Sequence, residues 1–133
     1  MKTTVYLAGK MTGLCYVDMK EWRLKAKGKL LDAGFRVVDP TDTDFGESVS
    51  SKEIVRSNKY LIDYSDLVLA EFTHKEVSIG TIGEVVYAAM KGKPIIAWGK
   101  PQWLEHPWLD EHITCSFWEL SEAIEYIVKN YKL

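Results

Sequence analysis

Short, continuously apolar segments alternate with stretches of helical periodicity along this chain, and that alternation limits the possible folds more than any other feature. The apolar segments occupy residues 3–8, 35–38, 67–70 and 94–98. Their lack of polar alternation is typical of strands that are buried on both faces of a parallel sheet. Residues 113–115 could add a fifth strand at the edge of the sheet.

Helices are predicted wherever apolar positions recur every three or four residues between these strands. The predicted helices are residues 17–33, a segment from Ser50 or Ser51 to Tyr64, a segment from Thr81 to Lys91, and a terminal helix that reaches Tyr131. Thr81 is the predicted cap of the third helix, which stops at Gly92. Ser116 and Glu119 form a capping-box pattern for the fourth.

Strict alternation of strands and helices predicts an α/β protein. The expected architecture is a doubly wound, Rossmann-like (flavodoxin-like) parallel sheet of five strands between two layers of helices. Residues 1–133 are expected to form one domain, because a chain of this length supports a single core. Ligands of such sheets bind at the carboxyl ends of the strands. The acidic segment 41–47 has no periodicity and is predicted to be a mobile loop.

The composition excludes several classes of partner. A formal net charge of −2 supplies no basic surface for a nucleic-acid backbone, so polymeric DNA or RNA is not an expected partner. No apolar run approaches the roughly 20 residues of a membrane span, so no membrane partner and a cytoplasmic location are expected. Cys15 and Cys115 lie far apart, and neither they nor the histidines have the spacing of metal ligands. No metal and no cofactor are therefore expected.

One glutamate stands in an unusual place in the chain. Glu84 lies within the first turns of the third predicted helix, beside its apolar face and just after a glycine-bearing loop. The helix dipole favours a carboxylate there, and the backbone N–H groups of residues 78–81 could hold an anion close to it. The alternative is a solvated glutamate that only complements the dipole.

Other polar groups follow the strands at the same edge of the predicted sheet. Residues 9–13 follow the first strand, Asp39 follows the second, and residues 71–78 follow the third. Asp66 instead precedes the third strand. The residues alone therefore predict that Asp66 is a turn or helix-cap residue at the opposite edge.

Several motifs stand in a distinctive order along residues 4–98. They are VYLAG at 5–9, GFRVVDP at 34–40, IDYSDLVLA at 62–70, SIGTIGE at 78–84 and GKPI at 92–95. In this order they resemble the nucleoside 2-deoxyribosyltransferase superfamily, which includes the 2′-deoxynucleoside 5′-phosphate N-hydrolases. The chain departs from the common pattern at Asn58, where an Asp is usual, and at Val86, where many members have Gly.

The resemblance implies catalytic roles for three residues. Glu84 would be the nucleophile that attacks the anomeric carbon, and Tyr6 would orient it through its hydroxyl. Asp66 would orient the substrate and help to protonate the leaving base, a role that conflicts with its place before the third strand. The residue types suit N-glycoside cleavage, because a carboxylate can trap the cationic sugar and a hydroxyl donor keeps that carboxylate ionised.

The residue six positions before the nucleophile distinguishes groups within this superfamily. Base-transferring members carry an acid there and the monophosphate hydrolases carry serine, which in this chain is Ser78. Its hydroxyl and the amides of Gly80 and Thr81 would bind a phosphate. Gly9 and Lys10 would face that phosphate from the first loop, although Lys10 is equally well explained as a solvated lysine.

The sequence thus predicts an N-glycosidase of (2′-deoxy)nucleoside 5′-monophosphates, with a covalent glycosyl-Glu intermediate. One alternative is a nucleoside 2-deoxyribosyltransferase that exchanges bases, and another is a non-catalytic nucleotide-binding sensor. The partner is in each case a small nucleotide or nucleoside. Aromatic residues in the connection 99–111 and at Tyr60 and Tyr64 predict a homodimer or dimer-based oligomer with shared sites.

Overall fold

The computed structural model describes residues 1–42 and 50–133. The strands are β1 (Thr4–Ala8), β2 (Arg36–Val38), β3 (Leu67–Glu71), β4 (Ile95–Trp98) and β5 (Cys115–Phe117). The helices are α1 (Tyr16–Asp32), α2 (Ser51–Tyr64), α3 (Ile79–Met90), the short α4 (Pro107–Asp110) and α5 (Leu120–Tyr131). Short 3-10 helices lie at Pro40–Asp42 and Gln102–Glu105.

The strands form a parallel sheet in the order β2-β1-β3-β4-β5. This order places β1 between β2 and β3, so the chain moves to one side of β1 first and then to the other. The loops after β1 and β3 therefore meet at the point where the winding reverses, which is where doubly wound sheets bind ligands. The predicted fold class is confirmed.

Two apolar clusters cover the two faces of the sheet. On one face, α1 and α5 pack against alternate residues of β1, β3 and β4 through Trp22, Ala26, Leu30, Ala123, Ile124 and Ile127. On the other face, Ile62 of α2 and Val85 and Ala88 of α3 pack against Tyr6, Val68 and Ile95. The continuously apolar strands are thus explained by burial on both sides.

Three predicted boundaries are wrong, each for a local reason. The cap of α3 is Ser78, whose hydroxyl accepts from the amide of Thr81, so the helix begins earlier than predicted. The edge strand β5 lies at Cys115–Phe117 because Ser116 pairs with Ala97. Since Ser116 is used by the strand, the capping box of α5 forms instead between Glu119 and Glu122.

The segment 41–47, predicted to be a mobile loop, lies mostly outside the described residues. Its first two residues belong to the 3-10 helix Pro40–Asp42. Within the described ranges, no helix combines the length and the apolar character needed to span a bilayer.

Candidate active site

A buried tyrosine and a helix-borne glutamate meet between α3 and the centre of the sheet. Tyr6, on the central strand β1, is fully buried, and its hydroxyl donates a hydrogen bond to Oε2 of Glu84. Glu84 is partly buried on the second turn of α3, and Val85 beside it anchors the helix in the core. The structure therefore brings together two of the three residues to which the resemblance gives catalytic roles.

The surroundings of this pair control its charge. Burial raises the pKa of Glu84 to about 7, while the hydrogen bond from Tyr6 and the positive charge of Arg23 act in the opposite direction. Burial and the neighbouring carboxylate raise the pKa of Tyr6 far above its ordinary value, so its hydroxyl remains a donor. Glu84 can thus become an ionised, aimed carboxylate near neutral pH, as a nucleophile requires.

Gly9, at the carboxyl end of β1, occupies a position with no room for a side chain. A Cβ atom on Gly9 would lie 2.7 Å from Cζ2 of Trp22 and 3.1 Å from Oε1 of Glu71. Only glycine allows the loop after β1 to cross the sheet edge this closely. Gly9 thus lets the loop after β1 pack closely against α1 and the end of β3.

An ion-pair network lies beneath this loop. Arg23 is fully buried and lies 3.2 Å from Asp39, which is also 3.2 Å from Lys20. Asp39 completes its hydrogen bonds with the amide and hydroxyl of Thr41, at 2.9 and 2.7 Å. Asp39 was predicted from the sequence to lie at the sheet edge, whereas the burial of Arg23 was not predicted. The available signal was its place beside Trp22 in the predicted helix 17–33, but a helical position alone does not show whether a charge is buried.

Glu71 is a second buried acid that the sequence analysis did not single out. It ends β3, and its Oε2 lies 2.8 Å from the hydroxyl of Thr73 and 3.2 Å from Nε2 of His74. Its Oε1 is enclosed and has no hydrogen-bond partner among the residues that the structure describes. The sequence signal for this buried acid was a glutamate directly after the apolar run of the third strand.

The proposed phosphate-binding residues line the start of α3 and the loop after β1. The hydroxyls of Ser78 and Thr81 lie 2.8 Å apart, and the amide of Thr81 is directed at the Ser78 hydroxyl at 3.4 Å. Thr81 is buried and occupied by this cap, so its own amide is less available than predicted. The amide of Gly80 belongs to the first turn and has no intrahelical acceptor.

Lys10 reaches from the first loop toward the loop before α3. Its ammonium group lies 3.7 Å from the carboxylate of Glu76, which is largely exposed. Exposed ion pairs of this kind contribute little to stability. The contact nevertheless places the charge of Lys10 on the same side of the molecule as the start of α3.

Asp66 lies at the other edge of the sheet. It precedes β3, its Oδ2 accepts from the amide of Thr4 at 2.7 Å, and its own amide donates to the carbonyl of Thr4 at 2.8 Å. These bonds tie the amino ends of β1 and β3 together. The position matches the prediction made from the residues alone, and the catalytic role that the resemblance implies stays a prediction. The structure does not bring Asp66 to Glu84.

Asn58, one of the two departures from the common pattern, lies on α2 one turn before the buried Ile62. Its Oδ1 is enclosed and has no hydrogen-bond partner in the described part of the chain. An amide at this position can donate and accept hydrogen bonds but cannot supply an acidic proton.

The fold is that of a doubly wound α/β protein, and the site places a carboxylate on a helix beside the central strand of the sheet. The model of the nucleoside 2-deoxyribosyltransferase family matches residues 5–104, so the chain belongs to this family. It is therefore an enzyme of deoxyribosyl transfer or N-glycoside cleavage, and it acts on small nucleosides or their derivatives.

Solved structures share the fold at low sequence identity. The 2-deoxyribosyltransferase of Bacillus psychrosaccharolyticus is 19% identical, covers 97% of this chain and 92% of its own, and superposes with a TM-score of 0.74. The 2-deoxyribosyltransferase of Leishmania mexicana is 20% identical, covers 97% of this chain and 99% of its own, and superposes with a TM-score of 0.72. A CMP N-glycosidase of Clostridium botulinum is 19% identical, covers 94% of this chain and 98% of its own, and superposes with a TM-score of 0.59. No curated protein sequence matches the chain.

Proposed function

We propose that this enzyme cleaves the N-glycosidic bond of (2′-deoxy)nucleoside 5′-monophosphates and releases the free base and (deoxy)ribose 5-phosphate. The observation that carries the proposal is the hydrogen bond from Tyr6 to Glu84, on a helix whose first turn is capped by a serine rather than an acid. The pair supports covalent chemistry at the sugar. The serine leaves the helix N-terminus open to an anion.

The reaction would proceed in two displacements at the anomeric carbon. The carboxylate of Glu84 forms a bond to that carbon while the carbon–nitrogen bond breaks, and the base leaves with the electron pair and takes up a proton. Water then attacks the same carbon, loses a proton, and releases Glu84 as a carboxylate. Tyr6 donates to Glu84 at the start and end of the cycle and so keeps it aimed.

Phosphate recognition would come from the two loops that border the start of α3. Ser78 offers a hydroxyl, Gly80 offers a first-turn amide, and Lys10 offers a charge once it leaves Glu76. An acid in place of Ser78 would repel the phosphate. The likeness to a CMP N-glycosidase, whose name gives a monophosphate as its substrate, supports the same choice.

A nucleoside 2-deoxyribosyltransferase is the second candidate, and one observation favours it. The two deoxyribosyltransferases superpose on this chain with TM-scores of 0.74 and 0.72, above the 0.59 of the CMP N-glycosidase. Such an enzyme would form the same glycosyl-Glu84 species and pass the sugar to a second base. A non-catalytic sensor is disfavoured, because binding alone needs no ionisable carboxylate held by a buried phenol.

A substrate panel separates these candidates. Base release is measured by chromatography for matched nucleosides and 5′-monophosphates, each with and without a second free base. If the enzyme is a hydrolase, monophosphates should be cleaved faster than the matched nucleosides, and cleavage should need no acceptor base. Preference for free nucleosides, or turnover only with an acceptor base, would replace it with the transferase. A pentosyl adduct on Glu84, found by mass spectrometry of protein quenched during turnover, would identify the nucleophile in either case.

Assembly is part of the proposal. On α2, Tyr60 and Tyr64 are 71% and 57% exposed, and Val55 lies exposed one turn before them. Trp103 contributes less surface than predicted, because it packs edge-to-face on Phe72. The remaining aromatic surface supports a homodimer or dimer-based oligomer. An active species of 15.2 kDa in light scattering, the mass of a single chain, would contradict it.

A further inference from the structure

Strand β1 continues past the end of its neighbour β2, and a buried arginine fills the gap. β2 ends at Val38, while the odd-numbered residues of β1 direct their backbone groups toward β2. The carbonyls of Leu7 and Gly9 therefore point into the gap beyond the end of β2, where no strand pairs with β1. Arg23 donates to both of them, at 2.8 and 3.0 Å. Its guanidinium group replaces the strand pairing that β1 loses.

The charge of Arg23 has a counter-ion in the same gap. Asp39 is the residue directly after β2, and its Oδ1 lies 3.2 Å from Nη1 of Arg23. Its Oδ2 lies 3.2 Å from Nζ of Lys20, which also contacts the half-exposed Asp42 at 2.6 Å. Arg23 and Asp39 are both buried, and the indole of Trp22 lies 4.9 Å from the guanidinium.

A buried ion pair contributes little net stability, because a protein with apolar residues of similar volume at the same positions is often as stable or more stable. Its location suggests what it does. Arg23 binds the carbonyl of Leu7, which follows Tyr6 in β1, and Tyr6 in turn holds Glu84. We propose that Arg23, with Asp39 as its counter-ion, is a positioning residue that aligns the end of β1 and keeps the nucleophile Glu84 in its charged form.

The charges that act on the pair support this role. Arg23 is the cation whose charge lowers the pKa of Glu84, against the larger effect of burial. For Tyr6, the charge of Arg23 lowers the pKa and that of Asp39 raises it. The two members of the ion pair thus act on the site with opposite signs.

The other ionisable groups around the site are paired or exposed. The paired groups are Lys10 with Glu76, Lys20 with Asp42, and Glu71 with His74. All charged side chains of α2 are exposed, as are Lys75 and Lys91 at the two ends of the α3 region. Arg23 and Asp39 are therefore the charges whose removal should change Glu84 most.

The test is a titration of the Glu84 carboxyl by carbon-13 NMR in glutamate-labelled protein, with the signal assigned from Glu84→Gln. Arg23→Gln should raise the titration midpoint by about one pH unit, because a cation is lost and Asp39 stays. Asp39→Asn should lower it, because the cations lose their counter-ion. The acid limb of kcat/KM should move in the same directions.

Lys27→Gln is the matched control. Lys27 lies one turn after Arg23 on α1, is partly exposed, and pairs with Asp42 at 3.1 Å, so its loss should leave the Glu84 titration unchanged. If Arg23→Gln does not fold, Asp39→Asn alone still gives a signed result. An unchanged midpoint in a folded variant, or shifts of the same sign in both, would show that Arg23 is only structural.

This inference rests on the proposed function in treating Glu84 as the nucleophile, but the titration needs no turnover. Full activity in Glu84→Gln would remove that assignment while leaving the measured charge coupling intact. Opposite shifts of Glu84 together with an inactive Glu84→Gln support both the inference and the proposed function.

Discussion

The hydroxyl of Tyr6, on the central strand, donates a hydrogen bond to the carboxylate of Glu84, a residue 78 positions later in the chain. The bond joins the sheet to α3. It also favours the ionised form of Glu84, which burial alone would suppress. The contact therefore links the position of the Glu84 carboxylate to its charge.

Tyr6→Phe should keep the fold and weaken catalysis. The benzene ring preserves the packing of the core, while the donor to Glu84 is lost. Hydrogen bonds to charged groups contribute about 1.5–3 kcal/mol, so kcat/KM near neutral pH should fall about 10- to 100-fold. The acid limb of the pH profile should also move to higher pH, because the carboxylate loses a group that stabilises its charge. Steady-state kinetics across pH test both effects.

Tyr87→Phe is the matched control for that substitution. The hydroxyl of Tyr87, one turn after Glu84 on α3, donates at the surface to Asp63 at 2.8 Å and not to Glu84. Its loss should leave the pH profile unchanged. If Tyr6→Phe behaves like Tyr87→Phe, the hydrogen bond to Glu84 has no part in the mechanism.

Glu84→Gln should stabilise the protein at alkaline pH. The pKa of Glu84 is raised from 4.5 to about 7 in the folded state, so folding favours its protonated form. The stability that this group supports is complete below about pH 4.5 and is lost as pH rises through about 7. A glutamine does not titrate and avoids that loss, which is about 1–3 kcal/mol by pH 8.

Chemical denaturation at about pH 5 and pH 8 measures this difference. The gain of Glu84→Gln over the wild-type protein should be small at pH 5 and larger at pH 8. Glu125→Gln, an exposed change on α5, should give no such pH-dependent gain. Equal gains at both pH values would mean that burial does not raise the pKa of Glu84.

Ser78→Asp separates the capping role of this residue from its role toward phosphate. Aspartate caps helices as well as serine does, so stability should change little. Its charge would lie where the 5′-phosphate is proposed to bind, and KM for monophosphates should rise about 5- to 100-fold, the equivalent of about 1–3 kcal/mol. KM for free nucleosides should hardly change.

Ser78→Ala is the companion variant, which loses the helix cap and adds no charge. It should lower stability more than Ser78→Asp does and raise KM for monophosphates less. Equal KM effects on both substrate classes would exclude phosphate contact at Ser78.

The architecture could be predicted from the sequence because the apolar runs and the helical periodicity are local patterns. The first residues of the helices were predicted less accurately than the architecture. Ser78, Thr81 and Ser116 can all cap a helix. The hydroxyl of Ser78 caps α3, whereas Ser116 pairs with Ala97 in the sheet and caps no helix. The pair Tyr6–Glu84 was expected from the resemblance. Arg23 was missed, because a charge on a helix is buried only when a gap such as the one beyond Val38 receives it.

Asp66→Asn tests whether Asp66 has a catalytic role or only a structural role at the amino ends of β1 and β3. The carboxylate of Asp66 accepts from the amide of Thr4, at the edge of the sheet away from Glu84. The asparagine carbonyl can accept the same hydrogen bond, so kcat should stay within about twofold of wild type and stability should fall by at most about 1 kcal/mol. Asp66→Ala removes the acceptor and should cost more stability, again without a specific loss of kcat. A fall of kcat by orders of magnitude in folded Asp66→Asn would instead support the catalytic role that the resemblance implies. Kinetics and denaturation on the same preparations decide between the two roles, because a strand-end cap affects folding and a catalytic acid affects turnover.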